Sequence, residues 1–92
     1  MKQCIRINFT LEKIPKNFLT IIQENAHKHK LEGTGQIVDT TTLKIAACGD
    51  PHGIEVFVDF IHQITVDMVA GAIEIEPFVR QRDYRGVFRI IE

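Results

Sequence analysis

The chain has 92 residues, 45% of them hydrophobic, and a formal net charge of −1 at pH 7. This length is near the lower limit at which a hydrophobic core alone stabilises a fold, so we expect one domain over residues 1–92. A net charge this small gives no global attraction to nucleic acid or to a membrane surface. The sequence has no apolar run near the roughly 20 residues needed to span a bilayer, and its start has no signal-peptide pattern. We therefore expect a soluble cytoplasmic protein.

The first predicted element is a strand. Residues 2 to 9 place Ile5, Ile7 and Phe9 on one face and polar residues on the other. A period of two is typical of a strand with one buried side, and we expect this strand to end near Thr10.

A helix is predicted next. From Phe18 to about His29, apolar residues recur every three to four positions, which is the period of a helix with one buried face. Asn17 is a candidate N-cap, or Pro15 occupies the first turn. Because glycine commonly ends helices, we expect the Gly33–Gly35 region to terminate this one.

The middle of the chain predicts a hairpin and a second helix. A short strand over Gly35–Val38 and an apolar alternation over Leu43–Cys48 flank the polar tract Asp39–Thr42, which has the composition of a turn. Asp50 can then cap a helix that begins at Pro51, where the missing N–H costs nothing. Its helical period runs to about Gln63.

Two further strands complete the pattern. Residues 69 to 76 alternate and are ended by Pro77, and a polar loop leads to a terminal strand over Val87–Ile91. The order of elements predicts an α+β ferredoxin-like two-layer sandwich, with an antiparallel sheet, both helices on one face and an extra C-terminal strand.

The two cysteines, Cys4 and Cys48, are too few for a disulfide framework and lack the spacing of a zinc ribbon. We therefore expect reduced thiols. In the predicted topology the first and third strands are antiparallel neighbours, which could place these residues side by side on the face away from the helices.

In its order of motifs the chain resembles the acylphosphatases. The segment 26–48, AHKHKLEGTGQIVDTTTLKIAAC, follows the family's pattern of a helix end and two strands without a gap. Gly49-Asp50-Pro51 matches the entry into the second helix, residues 69–76 match the penultimate strand, and Phe88-Arg89-Ile90 matches the ending.

The resemblance implies hydrolysis of the carboxyl-phosphate bond, with a glycine-rich loop and an arginine holding the phosphate and an asparagine orienting water. Here the loop positions are Leu11–Phe18, the arginine position is Leu19 and the asparagine position is Ile37. No arginine stands between residues 6 and 80, and Pro15, which has no N–H, replaces a loop glycine. We expect no catalytic residue, and we interpret the two apolar replacements as packing in a former polar cleft.

Three hypotheses follow. The leading one is an acylphosphatase-like domain without acylphosphatase activity that acts as a small binding or interaction module. The second is a divergent phosphatase in which Lys13 and Lys16 replace the arginine; with Asn17 they are the candidate anion-binding residues, for phosphate or another small anion.

The third hypothesis is an anion or nucleic-acid binder that uses the basic segment Arg80, Arg82 and Arg85. A solvated loop is favoured there, because acidic residues lie close by in the sequence. The terminal strand could leave an unpaired edge through which a second copy pairs.

No metal or cofactor is predicted from the four histidines. His27 and His29 point about 200° apart on a helix, and His52 and His62 are separated by roughly three turns. We expect His29 at the edge of the core and the last two in solvent.

Overall fold

The computed structural model describes residues 2–68, 70–79 and 85–91. Five strands form one sheet in the order β4-β1-β3-β2-β5. Within the described ranges, neither helix is long and apolar enough to cross a membrane. The elements are β1 (Gln3–Thr10), α1 (Phe18–Lys28), β2 (Glu32–Ile37), β3 (Thr42–Gly49), α2 (Pro51–Thr65), β4 (Glu74–Pro77) and β5 (Phe88–Ile91).

The predicted ferredoxin-like sandwich with an extra strand is confirmed, but the sheet is mixed rather than antiparallel. Strands β1 to β4 pair antiparallel, whereas β5 pairs parallel with β2. Strand β4 ends and strand β5 begins at the same end of the sheet, on opposite edges. The chain therefore enters β5 in the direction of β2.

The core lies between the sheet and the two helices. Alternate residues of the central strands face the helices, as the predicted period requires. The ring of Phe88 in β5 is 1% exposed and packs edge to face on Phe57 of α2, with centroids 6.0 Å apart. The extra strand is therefore part of the core. The buried apolar cluster is Ile5, Ile7, Phe9, Leu11, Phe18, Leu19, Ile22, Ala26, Leu31, Leu43, Ile45, Ala47, Ile54, Phe57, Ile61 and Phe88.

Helix α1 ends near His29, as predicted, but the residue that terminates it was predicted wrongly. The helix stops before the Gly33–Gly35 region, because Lys30 takes a left-handed conformation with φ 58°. The Leu31 N–H donates to the Ala26 carbonyl at 2.9 Å, and the Lys30 N–H donates to the His27 carbonyl at 3.0 Å. These two bonds form a Schellman cap built on a lysine, and both glycines lie in β2 instead.

The fourth strand is shorter than predicted. It spans Glu74–Pro77 rather than residues 69 to 76, and residue 69 lies outside the described residues. Gly71 has a φ of 101°, which departs from strand geometry, and the Ala70 N–H donates to the Thr10 carbonyl beyond the ladder. The alternation before Glu74 therefore belongs to a loop.

The start of α2 and the turn between β2 and β3 follow the prediction. The Asp50 carboxylate accepts a hydrogen bond from the His52 N–H at 3.1 Å, with proline in the first turn. In the hairpin turn, the Asp39 carboxylate accepts from the N–H groups of Thr41 and Thr42, both at 2.9 Å. These two bonds lower the pKa of Asp39 below its ordinary value.

The prediction of reduced cysteines was wrong. Cys4 and Cys48 are directly opposite in β1 and β3, as the topology suggested, and their sulfurs form a disulfide across 44 residues of sequence. The predicted topology placed the two residues side by side, but it did not distinguish a disulfide from two buried thiols, which are also common.

The outer edge of β5, which we expected could be unpaired, is covered at one residue. Gln23 of α1 donates its Nε2 to the Phe88 carbonyl at 2.9 Å, and the Phe88 N–H donates to His27 Nε2 at 3.4 Å. Side chains of α1 thus occupy the outward backbone groups of one residue, as an adjoining strand would.

We expect removal of this cover to promote self-association. Replacing Gln23 and His27 by alanine together frees two backbone groups, each worth about 0.5–1.5 kcal/mol when bonded. The dissociation constant for pairing of two copies through this edge should fall roughly tenfold relative to the unchanged protein, as measured by sedimentation velocity. The matched control is Glu24→Ala with Lys28→Ala, two exposed positions of the same helix. Equal behaviour of the two double variants would contradict the assignment.

The hairpin turn gives a pH prediction. Because the folded pKa of Asp39 is lowered, its contribution to stability is complete above the unfolded value of about 3.9. That contribution is lost as pH falls through the folded value. Asp39→Ala should lower the melting temperature at pH 7, and this difference should vanish in strong acid. Asp67→Ala, also exposed, is the control, and a pH-independent difference for Asp39→Ala would contradict the account.

Candidate functional site

Half of the positions in the loop from Leu11 to Phe18 have no backbone N–H available for a bound anion. The N–H groups of Leu11 and Glu12 donate to the carbonyls of Thr41 and Met68 at 2.9 and 3.0 Å. The Phe18 N–H donates to the Pro15 carbonyl at 3.2 Å, and Pro15 itself has none. An anion cradle needs several amides that converge on one point, so this loop is poorly equipped to be one.

The entry into α1 is a tight turn rather than a capped helix start. Asn17 occupies the N-cap position with φ 62°, and its side chain makes no capping hydrogen bond. Because the Phe18 N–H bonds back to Pro15, Asn17 is the third residue of a turn. Asparagine tolerates a positive φ at that position better than most residues. The predicted N-cap is therefore correct in position and different in conformation.

The positions that the resemblance assigns to the arginine and the asparagine lie together. Leu19 and Ile37 line one pocket of about 360 Å³ at the start of α1. Leu19 is 8% exposed and packs in the core, as expected, whereas Ile37 is 42% exposed. The interpretation that Ile37 also fills the cleft was wrong, because it ends β2 and projects beyond the core. The pocket is lined by Ile14, Pro15, Asn17, Phe18, Leu19, Thr20, Ile37, Ile90 and Ile91.

The three candidate anion-binding residues are divided between two places. Asn17 lines the pocket of Leu19 and Ile37, whereas Lys13 and Lys16 line a separate depression with Glu12 and Asp67. The two carboxylates there offset the positive charge of the lysines. Neither lysine is among the residues that line the pocket of Leu19, the position that the resemblance assigns to the arginine.

The predicted basic segment is largely outside the described residues. Arg80 and Arg82 fall there, so their roles stay predictions. Arg85 is exposed and has a left-handed φ of 56°. Within the described part, three or more potential metal ligands nowhere come together. His52 and His62 are exposed, as expected, and His29 is half-buried.

A buried carboxylate was missed in the sequence. Glu32 is 3% exposed, and its two oxygens accept from Lys2 Nζ at 2.9 Å and from the Gly86 N–H at 2.7 Å. A buried carboxylate requires such partners. Glu32 lies opposite Cys48 in the sheet. Its position could have been predicted only if β2 had been known to begin at Glu32.

Comparison with known proteins gives structural relatives. No family model matches the sequence, and no curated protein matches it. An acylphosphatase from Bacillus subtilis superposes with a TM-score of 0.79 at 20% identity, over 100% of each chain. One from Coxiella burnetii gives 0.78 at 18% identity, over 98% of this chain and 93% of the other. HypF from T. kodakarensis gives 0.76 at 18% identity, over all of this chain and 12% of HypF.

These superpositions cover nearly the whole chain, whereas the sequence identities are low. Structural likeness at this identity establishes the arrangement of the backbone and leaves the chemistry to the side chains at the site. The resemblance noted in the sequence is therefore confirmed at the level of structure: the chain has the acylphosphatase fold.

Proposed function

We propose that this chain is an acylphosphatase-like domain that does not hydrolyse acyl phosphates and acts as a small cytoplasmic binding module. One observation carries the proposal. None of the described residues that line the pocket of Leu19 and Ile37 is charged, and among them Asn17 and Thr20 alone have polar side chains.

The chemistry of phosphate binding explains why this matters. A phosphoryl group carries negative charge on its oxygens, and an arginine fork with converging amides stabilises that charge in a site shielded from water. Leucine and isoleucine supply neither donor nor charge. Loss of a single oriented donor typically costs about 10²–10³ in rate, and several are missing here.

The same pocket suits an apolar ligand. Its volume of about 360 Å³ is at the small end of the range for ligand sites, roughly 300–1,000 Å³. Ile37 and Ile91 are 42% and 38% exposed, and both line it. Their burial by a short aliphatic or aromatic group would be favourable by about 25 cal/mol per Å². The proposed ligand is therefore a small, uncharged apolar group.

Activity provides the first test. Purified protein should hydrolyse benzoyl phosphate no faster than buffer, and the pair Lys13→Ala and Lys16→Ala should change nothing, because these lysines lie outside the pocket. Hydrolysis well above background that disappears in the lysine variant would overturn the proposal. That result would support the divergent phosphatase, as would loop signals that shift in NMR spectra on titration with inorganic phosphate.

Binding provides the second test. Titration with n-hexanol, followed by NMR, should shift the signals of Leu19, Thr20 and Ile90. Ile37→Asp should weaken this binding at least tenfold, because it places a carboxylate at the rim of the pocket. The matched control is Val38→Asp, which adds the same charge one residue away at an exposed position. Saturable shifts that are unchanged in Ile37→Asp, or no shifts at all, would count against the pocket.

A further inference from the structure

We propose that the outer edge of β4 binds an extended basic peptide, whose backbone adds a further strand to the sheet. Strand β4 lies at the edge opposite β5, and β5 contributes to the pocket of Leu19. Binding at this edge is therefore independent of the function proposed for that pocket. The peptide that fits the edge alternates basic and apolar side chains.

Strand β4 has a neighbour on one side only, because it is the outermost strand of the sheet. The Phe78 N–H donates to the Cys4 carbonyl at 3.1 Å, and the register of the two strands places these residues opposite each other. Hydrogen-bonded pairs recur at every second residue of an antiparallel ladder. Glu76 and Glu74 therefore hold the next two such positions of β4.

The residues between those pairs direct their backbone groups away from β1. Ile75 and Pro77 occupy these positions, so the Ile75 N–H and the carbonyl groups of both residues face outward. None of these three groups bonds to another described residue. An open donor and two open acceptors are what an added strand requires. Because Pro77 has no N–H, the added strand is a short one.

The side chains of β4 give this edge two different faces. Ile75 lies opposite the buried Ile7 and shares its side of the sheet, toward the helices, yet it is 40% exposed. Glu74 and Glu76 are exposed on the other side. An added strand alternates in the same way. An apolar residue beside Ile75 and a basic residue beside each glutamate would complement both faces.

A depression extends the apolar side of this edge. It has a volume of about 330 Å³ and is lined by His62, Thr65, Val66, Gly71 and Ile73. Ile73 lies two residues before Ile75, so the depression adjoins the apolar side of β4, and Val66 is exposed beside it. An apolar side chain of a bound peptide therefore meets more apolar surface here than β4 alone provides.

The charge of the edge decides which kind of strand it accepts. Glu76 pairs with Arg6 at 3.2 Å, whereas the Glu74 carboxylate has no ion-pair partner among the described residues. Two copies of this chain paired antiparallel about Ile75 would place Glu74 of each opposite Glu76 of the other. Like charges directly opposite destabilise a strand pair. The occupant is therefore a basic peptide rather than a second copy.

A peptide titration followed by NMR tests the site. The probe is acetyl-Lys-Val-Lys-Val-Lys-amide, and the control peptide has glutamate in place of each lysine. The basic peptide should bind the full chain at least ten times more tightly than the acidic one, with saturable shifts at the Glu74, Ile75 and Glu76 amides. Equal affinity of the two peptides, or no saturable shift at Ile75, would overturn the proposal.

Three variants separate strand addition from simple attraction between charges. Glu74→Lys should weaken binding of the basic peptide at least fivefold, whereas Glu24→Lys, the same change at an exposed position of α1, should alter it less than twofold. Ile75→Pro removes the outward N–H without breaking a bond to β1, and it should weaken binding at least tenfold. Unchanged binding by Ile75→Pro, or equal effects of the two lysine variants, would contradict strand addition.

Hydrogen exchange on the unchanged chain gives a readout that does not require Ile75→Pro to fold. With the basic peptide at saturation, exchange at the Ile75 amide should slow at least five times more than exchange at the Glu76 amide. The reason is that Glu76 is already bonded within the ladder to β1. Equal slowing at the two amides, or none at Ile75, would refute the site.

Sedimentation velocity decides between the two kinds of occupant. Without peptide, the unchanged chain should not self-associate through this edge, so Glu74→Lys should leave its sedimentation coefficient unchanged. A dimer of the unchanged chain whose dissociation constant changes in Glu74→Lys and not in Glu24→Lys would assign the edge to a second copy and overturn the proposal.

Discussion

The antiparallel pairing of β1 with β3 determines what each face of the sheet carries. Eight consecutive residue pairs, from Gln3 opposite Gly49 to Thr10 opposite Thr42, set one register. In that register Ile7 meets Ile45 against the helices, and the cysteines meet on the other face. A slip of one residue would exchange the two faces. The hydrophobic core and the disulfide therefore depend on the same pairing, and each favours the register that the other requires.

The pocket is a property of the backbone, whereas its chemistry belongs to the side chains. The second residue of α1 and the last residue of β2 line one pocket, where the start of the helix lies near the end of the strand. Leu19 and Ile37 thus meet where the family has a charged donor and an amide. Leu19 joined the core, where burial of a leucine side chain is worth about 1.5–3 kcal/mol. Ile37, at the end of β2, remains 42% exposed.

The sequence predicted the elements whose periodicity is strong and missed features that depend on contacts between distant residues. Both helices and the two central strands follow from apolar spacing alone. Residue propensity predicts a glycine at the left-handed position that ends α1, yet Lys30 occupies it. The hydrogen bonds from the Lys30 and Leu31 N–H groups to carbonyls of the last helical turn hold it there. The loop before Glu74 alternates like a strand but has no partner strand there. At the site, the sequence itself shows leucine and isoleucine at the positions that the resemblance assigns to an arginine and an asparagine. The exposure of Ile37 and the separation of Lys13 and Lys16 from the pocket required the fold.

The two faces of the sheet are stabilised in different ways. Against the helices, attraction is apolar and has no preferred direction, so substitutions that conserve volume are tolerated there. The opposite face is held by discrete contacts, which include the disulfide, the bonds of Glu32 to Lys2 and Gly86, and Arg6 between Glu76 and the Phe78 ring. The exposed pair of Arg6 with Glu76 adds little, about 0–1 kcal/mol.

The covalent bond and the buried carboxylate therefore dominate the face away from the helices. Each is a single interaction that one chemical event can remove, by reduction in one case and by loss of a partner in the other. Loss of a few contacts on the helix side would be shared among many neighbours in the core. On the opposite face, loss of one contact affects mainly the residues that made it. The apolar side of the sheet therefore tolerates the loss of a single contact better than the opposite side does.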